Sequence, residues 1–311
     1  MGIKSRIKQI AKIALAPPAK KAVKKTYDGE SKSNTEHWTD HNVTFHAQFK
    51  TKQQSLEHLD WRNSQYLFYD ELMPCNEFDG QVVLDYGCGP GHDTIALSEF
   101  SKPKKIYAID ISKTAIAEAK SRIQLHNPDV AEFILIEDGA ANFPFENESI
   151  DYIHCSGVLH HTPNENDILK EFYRVLKKGG KARIMMYNYN SMFAQIYVGY
   201  EQRVCNKVNA DISFADALRK SSDYNCPIAR YYRKEEFIEI CNKVGFNTTL
   251  KGIAIHNGEM LLMPIMYQAL GDLNTPTDIR QFIKNISFDS FNRPLYKGDV
   301  AGIDAVYELK K

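Results

Sequence analysis

A series of glycines and acidic residues is the part of the chain whose residue types could do chemistry. Gly87, Gly89 and Gly91 follow a short apolar stretch, and glycine lets a backbone turn sharply and approach a ligand closely. Asp110 stands nineteen residues after Gly91, at the end of the next apolar stretch. A carboxylate at such a position accepts hydrogen bonds from ribose hydroxyls. The spacing therefore predicts a nucleoside-binding site.

Two further acids indicate which nucleoside would bind. Asp85 precedes the first glycine, where a carboxylate attracts a cation and repels a pyrophosphate. Asp138 follows the third apolar stretch and is placed to accept a hydrogen bond from an adenine amino group. Both acids favour S-adenosylmethionine, whose ammonium and sulfonium are cationic. A nicotinamide oxidoreductase remains the alternative, because such enzymes use a similar glycine loop.

Two adjacent histidines, His160 and His161, follow the fourth apolar stretch and offer a general base. Histidine ionises near neutral pH, so its neutral form can take a proton from an acceptor hydroxyl. We predict that one of the two is the catalytic base. The alternative is that the pair only caps the turn before Pro163 and packs against the cofactor. No metal site is expected, because the six cysteines include no C-x-x-C pair.

These residues must be positioned by alternating strands and helices. The pattern predicts strands at 82–85, 105–109, 133–137, 149–156 and 181–187. It predicts helices at 94–99, 113–126 and 165–176, the last closed by Gly179 and Gly180. Strands separated by such helices form a parallel sheet in a doubly wound α/β fold. The carboxyl ends of its strands meet at one edge, where the acids and histidines would lie together.

The combination resembles the class I S-adenosylmethionine-dependent methyltransferases, especially the branch of ubiquinone-biosynthesis and related small-molecule enzymes. The resemblance is close over 81–188 and includes the block FYRVLKKGGK at 172–181. It implies a Rossmann-like, seven-stranded, mostly parallel sheet with an antiparallel last strand, which we predict at 303–309.

The resemblance also implies which residues bind the cofactor S-adenosyl-L-methionine. The matching positions are Asp85, Gly87, Gly89, Gly91, Asp110, Ile111, Asp138, Gly139, Ala140 and Ser156. The glycines would hold the methionine part, with Asp85 near its amino group and Ser156 beside it. Asp110 would bind the ribose, and Asp138 with the Ala140 backbone would bind adenine.

Segments outside this pattern divide the chain further. We predict a basic arm and linker over 1–35, an aromatic-rich helical segment over 36–78 and a methyltransferase domain over 79–311. Insertions at about 190–230 and 257–297 would form lids, and one helix is predicted over 55–72. The first 25 residues hold eight Lys or Arg and no acid, so the other 286 residues carry a net charge of −8.

This charge distribution limits the expected partners. An acidic body argues against a broad nucleic-acid surface, while the amphipathic basic arm could contact an anionic membrane weakly. No apolar stretch approaches the ~18 residues of a membrane span, so a cytoplasmic enzyme is expected. We predict methylation of a hydroxyl on a small molecule, for example a sugar or glycan intermediate. An RNA or protein methyltransferase and a non-catalytic cofactor-binding protein remain alternatives.

Overall fold

The computed structural model describes residues 32–41 and 47–311, and within these residues a central sheet has eight strands. The strands of the described residues are β1 (Tyr66–Leu67), β2 (Val82–Tyr86), β3 (Lys105–Asp110), β4 (Ala131–Leu135), β5 (Ile150–Ser156), β6 (Leu176–Tyr187), β7 (Asn247–His256), β8 (Ile286–Phe288), β9 (Pro294–Tyr296), β10 (Asp299–Val300) and β11 (Asp304–Lys310). The central sheet has the order β1-β7-β11-β6-β5-β2-β3-β4, and β8, β9 and β10 form a separate small sheet.

Helices connect these strands. Those of the described residues are α1 (Asn34–Asp40), α2 (Lys52–Asn63), α3 (Tyr69–Leu72), α4 (His92–Phe100), α5 (Lys113–Ile123), α6 (Glu165–Val175), α7 (Phe214–Ser221), α8 (Lys234–Val244), α9 (Asn257–Met260), α10 (Met263–Gly271) and α11 (Thr277–Lys284). A 3₁₀ turn covers Leu159–His161, and a π-helix covers Phe193–Cys205. The Ser112 hydroxyl accepts a hydrogen bond from the Ala115 amide, which makes Ser112 the N-cap of α5.

The sheet topology confirms the predicted doubly wound α/β fold. Strands β2, β3, β4, β5 and β6 pair in parallel, whereas β11 runs antiparallel to both β6 and β7. The two-residue strand β1 adds an eighth strand beside β7. Because the parallel strands share one direction, the glycine loop, Asp110 and Ser156 follow strand ends at the same edge.

Alternate side chains of each strand pack on opposite faces of the sheet. In β2, Leu84 packs in a cluster with Phe172 of α6 and Phe237 of α8, whereas its neighbour Val83 packs with Leu97 of α4. Successive side chains of a strand point to opposite faces, so helices cover both faces of the sheet. A parallel sheet buried in this way requires the continuous apolar strands seen in the sequence.

The prediction of one helix over 55–72 is wrong. Helix α2 ends at Asn63, the chain then joins the sheet as β1, and α3 follows. Phe68, between β1 and α3, has φ of +65°, which is outside the range of a right-handed helix. Hydrogen bonding to β7 stabilises an extended conformation of Tyr66 and Leu67, and this tertiary pairing outweighs local helix propensity.

Two other predicted boundaries are also wrong. Gly179 and Gly180 do not close α6, because the helix ends at Val175 and β6 runs through both glycines. A Cβ on Gly180 would lie 3.1 Å from the Asp151 carbonyl oxygen, so close strand approach explains the glycine there. The strand predicted at 133–137 begins two residues earlier, because Ala131 already pairs with Ile106.

The two insertions after β6 pack against each other. The first holds the π-helix and α7, and the second holds α9, α10, α11 and the small sheet, so the second is not helical throughout. Met192 and Tyr200 of the first share a buried cluster with Met266, Ile279 and Phe282 of the second. Their role as lids stays a prediction.

The described residues from Ser33 to Lys311 form one compact unit. Residues 1–31 of the predicted basic arm and linker (1–35) lie outside the described residues. Among the described helices, none combines the length and the apolar character needed to cross a membrane.

Candidate cofactor site

A cavity opens where β2, β3 and β5 end, and the glycine loop forms part of its wall. Eight of the residues predicted as site residues line it: Gly87, Gly89, Asp110, Ile111, Asp138, Gly139, Ser156 and His161. Asn34, Trp38, Arg62, His92 and Asp93 also line it, and the sequence analysis assigned none of them. The structure therefore brings most of the predicted residues together and adds a second group from α1, α2 and α4.

The glycine loop is shaped by backbone geometry. Gly87 has φ of +72°, a conformation that L side chains rarely adopt. An added Cβ would also overlap the Val158 side chain. The amides of Gly87 and Cys88 donate to the Ile109 carbonyl at 2.8 and 3.0 Å, which ties the loop to β3. The loop thus brings bare backbone to the cavity.

Asp110 is held by the backbone and faces the cavity. Its Oδ2 accepts a hydrogen bond from the Gly89 amide at 2.8 Å, and its Oδ1 accepts one from the Ser112 amide at 2.7 Å. Burial raises the pKa of Asp110, although these amides lower it in part. Each carboxylate oxygen can accept a further hydrogen bond. The geometry therefore suits the two hydroxyls of a ribose.

Helix α1 covers the part of the cavity near Asp138. The Asn34 amide donates to Asp138 Oδ1 at 2.9 Å and to the His161 carbonyl at 3.0 Å. The Trp38 indole donates to Asn34 Oδ1 at 3.1 Å, and its ring lies 4.9 Å from the His161 ring. The capping box formed by Ser33 and Glu36 begins this helix. That capping pattern is the sequence signal that could have located α1, although it does not indicate a site.

An ion pair lines another part of the cavity. Arg62 of α2 donates two hydrogen bonds to Asp93 of α4, at 2.8 and 3.0 Å, and both side chains are largely buried. Burial alone would raise the pKa of the Asp93 carboxyl. Arg62 and His154 lower it by more than burial raises it, so the pKa of Asp93 lies well below its usual range. The Arg62 guanidinium also lies over the Tyr69 ring, 4.7 Å from its centroid. No local motif in the sequence identifies this pair.

Three predicted cofactor-binding residues do not line this cavity. Asp85 is 2% exposed, and its carboxylate accepts a hydrogen bond from the Thr94 hydroxyl at 2.5 Å. Burial raises the pKa of Asp85 to about 6, while His154 opposes the shift. Gly91 is the N-cap of α4, and the Ala140 amide donates to the Glu137 carbonyl at 3.0 Å. None of the three is among the residues that line this cavity, and their roles in cofactor binding stay predictions.

The two adjacent histidines have different surroundings. His160 is fully buried with its ring centroid 3.9 Å from that of Tyr187, and its ring nitrogens have no hydrogen-bond partner among the described residues. Burial lowers the pKa of His160 well below 6.5, so the ring stays neutral. His161 lies on the cavity wall instead. The structure therefore separates the two candidates that the sequence left together.

His161 is linked to a carboxylate and to a backbone carbonyl. Its Nδ1 lies 2.6 Å from the Ile228 carbonyl oxygen, and its Nε2 lies 3.4 Å from Asp223 Oδ2. Because a carbonyl only accepts, Nδ1 carries the proton and Nε2 holds a lone pair. The Tyr187 hydroxyl donates to the same Asp223 oxygen at 2.7 Å. Burial lowers the pKa of His161, while Asp223 raises it in part, so the ring is neutral near pH 7.

Two groups of side chains have metal-ligand chemistry within the described part of the chain. They are Cys75 with Asp93 and His154, and His161 with Asp223 and Cys226. In the first group Arg62 already neutralises Asp93, and in the second Nδ1 of His161 is bonded to a carbonyl. A metal is not needed to explain either group, and its absence stays a prediction.

The known proteins that this chain resembles are methyltransferases. A family model described as "Methyltransferase domain" matches residues 77–237. Demethylmenaquinone methyltransferase from Geobacillus sp. (strain WCH70) is 32% identical over 146 residues, covering 46% of this chain and 59% of that protein. The enzyme of that name from Geobacillus stearothermophilus is 33% identical over 127 residues, covering 40% of this chain and 50% of that protein. The chain thus spans about half the length of these curated relatives.

A solved structure supports the fold alone. Phosphoethanolamine N-methyltransferase 2 from Haemonchus contortus, in complex with S-adenosyl-L-methionine, superimposes with a TM-score of 0.51 at 17% identity. The similarity covers 90% of this chain and 57% of that chain. Because the methyltransferase model spans more than half of the residues, including the glycine loop, Asp110, Asp138 and His161, the chain belongs to the class I S-adenosylmethionine-dependent methyltransferases.

Proposed function

We propose that the chain transfers the methyl group of S-adenosylmethionine to a hydroxyl of a small polar acceptor, such as a sugar or a glycan intermediate. The observation that carries this proposal is His161, which lies on the cavity wall and whose Nε2 is 3.4 Å from Asp223 Oδ2. A hydroxyl that accepts a methyl group must lose its proton, and a neutral histidine can take it.

The residues divide the work between binding and proton transfer. The bound cofactor supplies a methyl group that its sulfonium has already activated. The chain has to orient the acceptor, exclude water and receive one proton at His161 Nε2. The resulting imidazolium would donate from Nδ1 to the Ile228 carbonyl and from Nε2 to Asp223. Tyr187 holds Asp223 in place by its hydrogen bond.

One buried polar group near Asp223 supports a polar acceptor. Asp304 begins β11 and pairs with Tyr187, which contacts Asp223 through its hydroxyl. Asp304 is 1% exposed, and its Oδ2 has no hydrogen-bond partner among the described residues. Burial raises the pKa of Asp304, and nearby Glu259 raises it further. A buried polar atom without a partner favours a ligand that supplies a hydrogen bond, and a hydroxyl-rich acceptor would do so.

An acceptor screen tests the proposal. Purified protein with S-adenosylmethionine would be incubated with sugars, sugar nucleotides, phenols, quinols and amines, and products would be followed by mass spectrometry. We expect a hydroxyl compound to gain one methyl group and His161→Asn to lose that transfer while still binding S-adenosylhomocysteine. Methylation of only carbon or nitrogen acceptors would contradict the proposal.

A further inference from the structure

The Arg62–Asp93 pair places opposite charges side by side in the wall of the cofactor cavity. The side chains are 15% and 11% exposed, so neither charge is well solvated. Burying two charges costs more free energy than their attraction returns unless further hydrogen bonds satisfy them. A ligand carrying both charges would provide those bonds.

Arg62 retains hydrogen-bonding capacity in this arrangement. A guanidinium has five N–H donors. Two of them bind Asp93 and one binds Asn63 Oδ1 at 2.9 Å, while a contact with Ser156 Oγ at 3.5 Å is at the limit for a hydrogen bond. Each Asp93 oxygen accepts one bond from Arg62, and His154 Nε2 lies 3.4 Å from Oδ2. A carboxylate oxygen can accept two hydrogen bonds, so Oδ1 keeps room for another donor. Both partners can therefore bind a third group without separating.

The pair lies on the side of the cavity away from the proposed adenine position. Arg62 is beside Ser156 at the end of β5, whereas Asp110 ends β3, and β2 lies between these strands. Two inter-strand spacings amount to roughly 10 Å. Adenosine bound at Asp110 and Asp138 would therefore direct the rest of the cofactor toward Arg62.

We propose that Arg62 binds the α-carboxylate of S-adenosylmethionine and that Asp93 binds its α-ammonium. The amino-acid end of this cofactor is a zwitterion, and the pair presents the complementary charges. Arg62 lies outside residues 77–237, so α2 adds a cofactor-binding residue that the family-matched segment does not contain. The inference rests on S-adenosylmethionine as the cofactor, and it deepens that assignment by naming the residues for its charged end.

Calorimetric titration with three compounds tests the proposal. S-adenosylhomocysteine carries both charges of the amino-acid end, decarboxylated S-adenosylmethionine lacks the carboxylate, and 5′-methylthioadenosine lacks the whole amino-acid end. Loss of a hydrogen bond between charged groups weakens binding by about tenfold to a hundredfold. Arg62→Gln should weaken the binding of S-adenosylhomocysteine by this factor. The affinities for the other two compounds should stay within about twofold of the wild-type values. Arg62→Lys keeps the charge but loses the planar guanidinium. Its affinity for S-adenosylhomocysteine should lie between those of Arg62→Gln and the wild type.

A matched control separates recognition from structural damage. Arg183 forms a comparably buried pair with Glu308, away from the cofactor cavity, and Arg183→Gln should leave all three affinities unchanged. The proposal is wrong if Arg62→Gln weakens all three compounds equally or weakens none. Failure of the wild type to bind S-adenosylhomocysteine and methylthioadenosine would instead overturn the cofactor assignment itself.

Discussion

The cofactor cavity has two ends that are built differently. Near Asp110 the protein uses backbone amides to orient one carboxylate, and the loop that supplies Gly89 approaches the ligand as bare backbone. Near Arg62 it uses two side-chain charges from separate helices, which orient each other. A backbone-held group keeps its geometry when a neighbouring side chain changes, whereas an ion pair loses both its geometry and its charge balance when one partner is removed.

The two ends of the cavity would therefore distinguish different parts of a ligand. The Asp110 end would recognise a feature that every adenosine compound shares, so its loss should weaken binding of all of them. The Arg62 end would recognise only the amino-acid group. His161 lines the same cavity, but its backbone carbonyl, not its side chain, accepts the hydrogen bond from Asn34, which also donates to Asp138. Because the proposed role of the side chain is chemical, substitutions there should change the rate of transfer while the affinity for cofactor is kept.

The largest effect is expected at His161. Replacing it with Asn should lower kcat about 10²- to 10⁴-fold, the usual contribution of a general base, and leave the Kd for S-adenosylhomocysteine unchanged. Because burial lowers the pKa of His161, the wild-type rate should rise with pH through a pKa below 6.5 and stay constant above it. Rate measurements from pH 5 to 8 would show this, and an unchanged rate in the variant would exclude His161 as the base.

Asp110→Asn comes next, with a loss of about a hundredfold in affinity for S-adenosylhomocysteine. The reason is that the neutral amide accepts hydrogen bonds less well than a carboxylate and places a donor toward a ribose hydroxyl. The affinity of Asp110→Asn for methylthioadenosine should fall by the same factor, whereas Arg62→Gln should leave that affinity nearly unchanged. Calorimetry on both variants compares the two ends of the cavity directly. If Asp110→Asn weakened only the charged compound, our distinction between the ends would fail.

Gly87→Ala should lower the free energy of unfolding by about 2–5 kcal/mol. The added Cβ brings a cost of about 1–2 kcal/mol for the left-handed backbone and about 1–3 kcal/mol for overlap with Val158. Gly179 is a matched control, because it has φ of +77° and a Cβ there would meet nothing within 4 Å. Gly179→Ala should lower the free energy of unfolding only by the contribution of the left-handed backbone, about 1–2 kcal/mol. Urea unfolding of the two variants measures both values, and equal losses would show that contact with Val158 contributes nothing.

The smallest effect concerns acid stability at His160. The unfolded chain takes up a proton at this histidine below about pH 6.5, but the folded chain does not, since burial depresses its pKa. The unfolded state then binds more protons, so stability falls as pH falls, by about 1.4 kcal/mol per pH unit for one group. His160→Phe keeps a ring against Tyr187 and should reduce this slope. Unfolding at pH 6.5, 6.0 and 5.5 tests this, and an unchanged slope would contradict it.

The central sheet and the Asp110 end could be predicted from the sequence because their signals are local. The glycine loop and Asp110 lie within 25 residues, and apolar strands alternate regularly with helices around them. Asn34, Arg62 and Asp223 could not be predicted as site residues, since no motif in their segments indicates a site and each reaches the cavity region only through tertiary packing. His160 and His161 are chemically identical, and only the packing of the 3₁₀ turn distinguishes them.

The buried cluster shared by the two insertions has a consequence for folding order. Met192 and Ile279 pack together although 86 residues separate them, and those residues include α8 and β7. Contacts at such separation carry a large loop-closure entropy cost, which ordering of the intervening chain reduces. We expect this cluster to form late and to open first under mild denaturant, so amide exchange there should be faster than in β2 or β5. A partly unfolded molecule would then keep the central sheet and the cavity at its edge while the two insertions are already disordered.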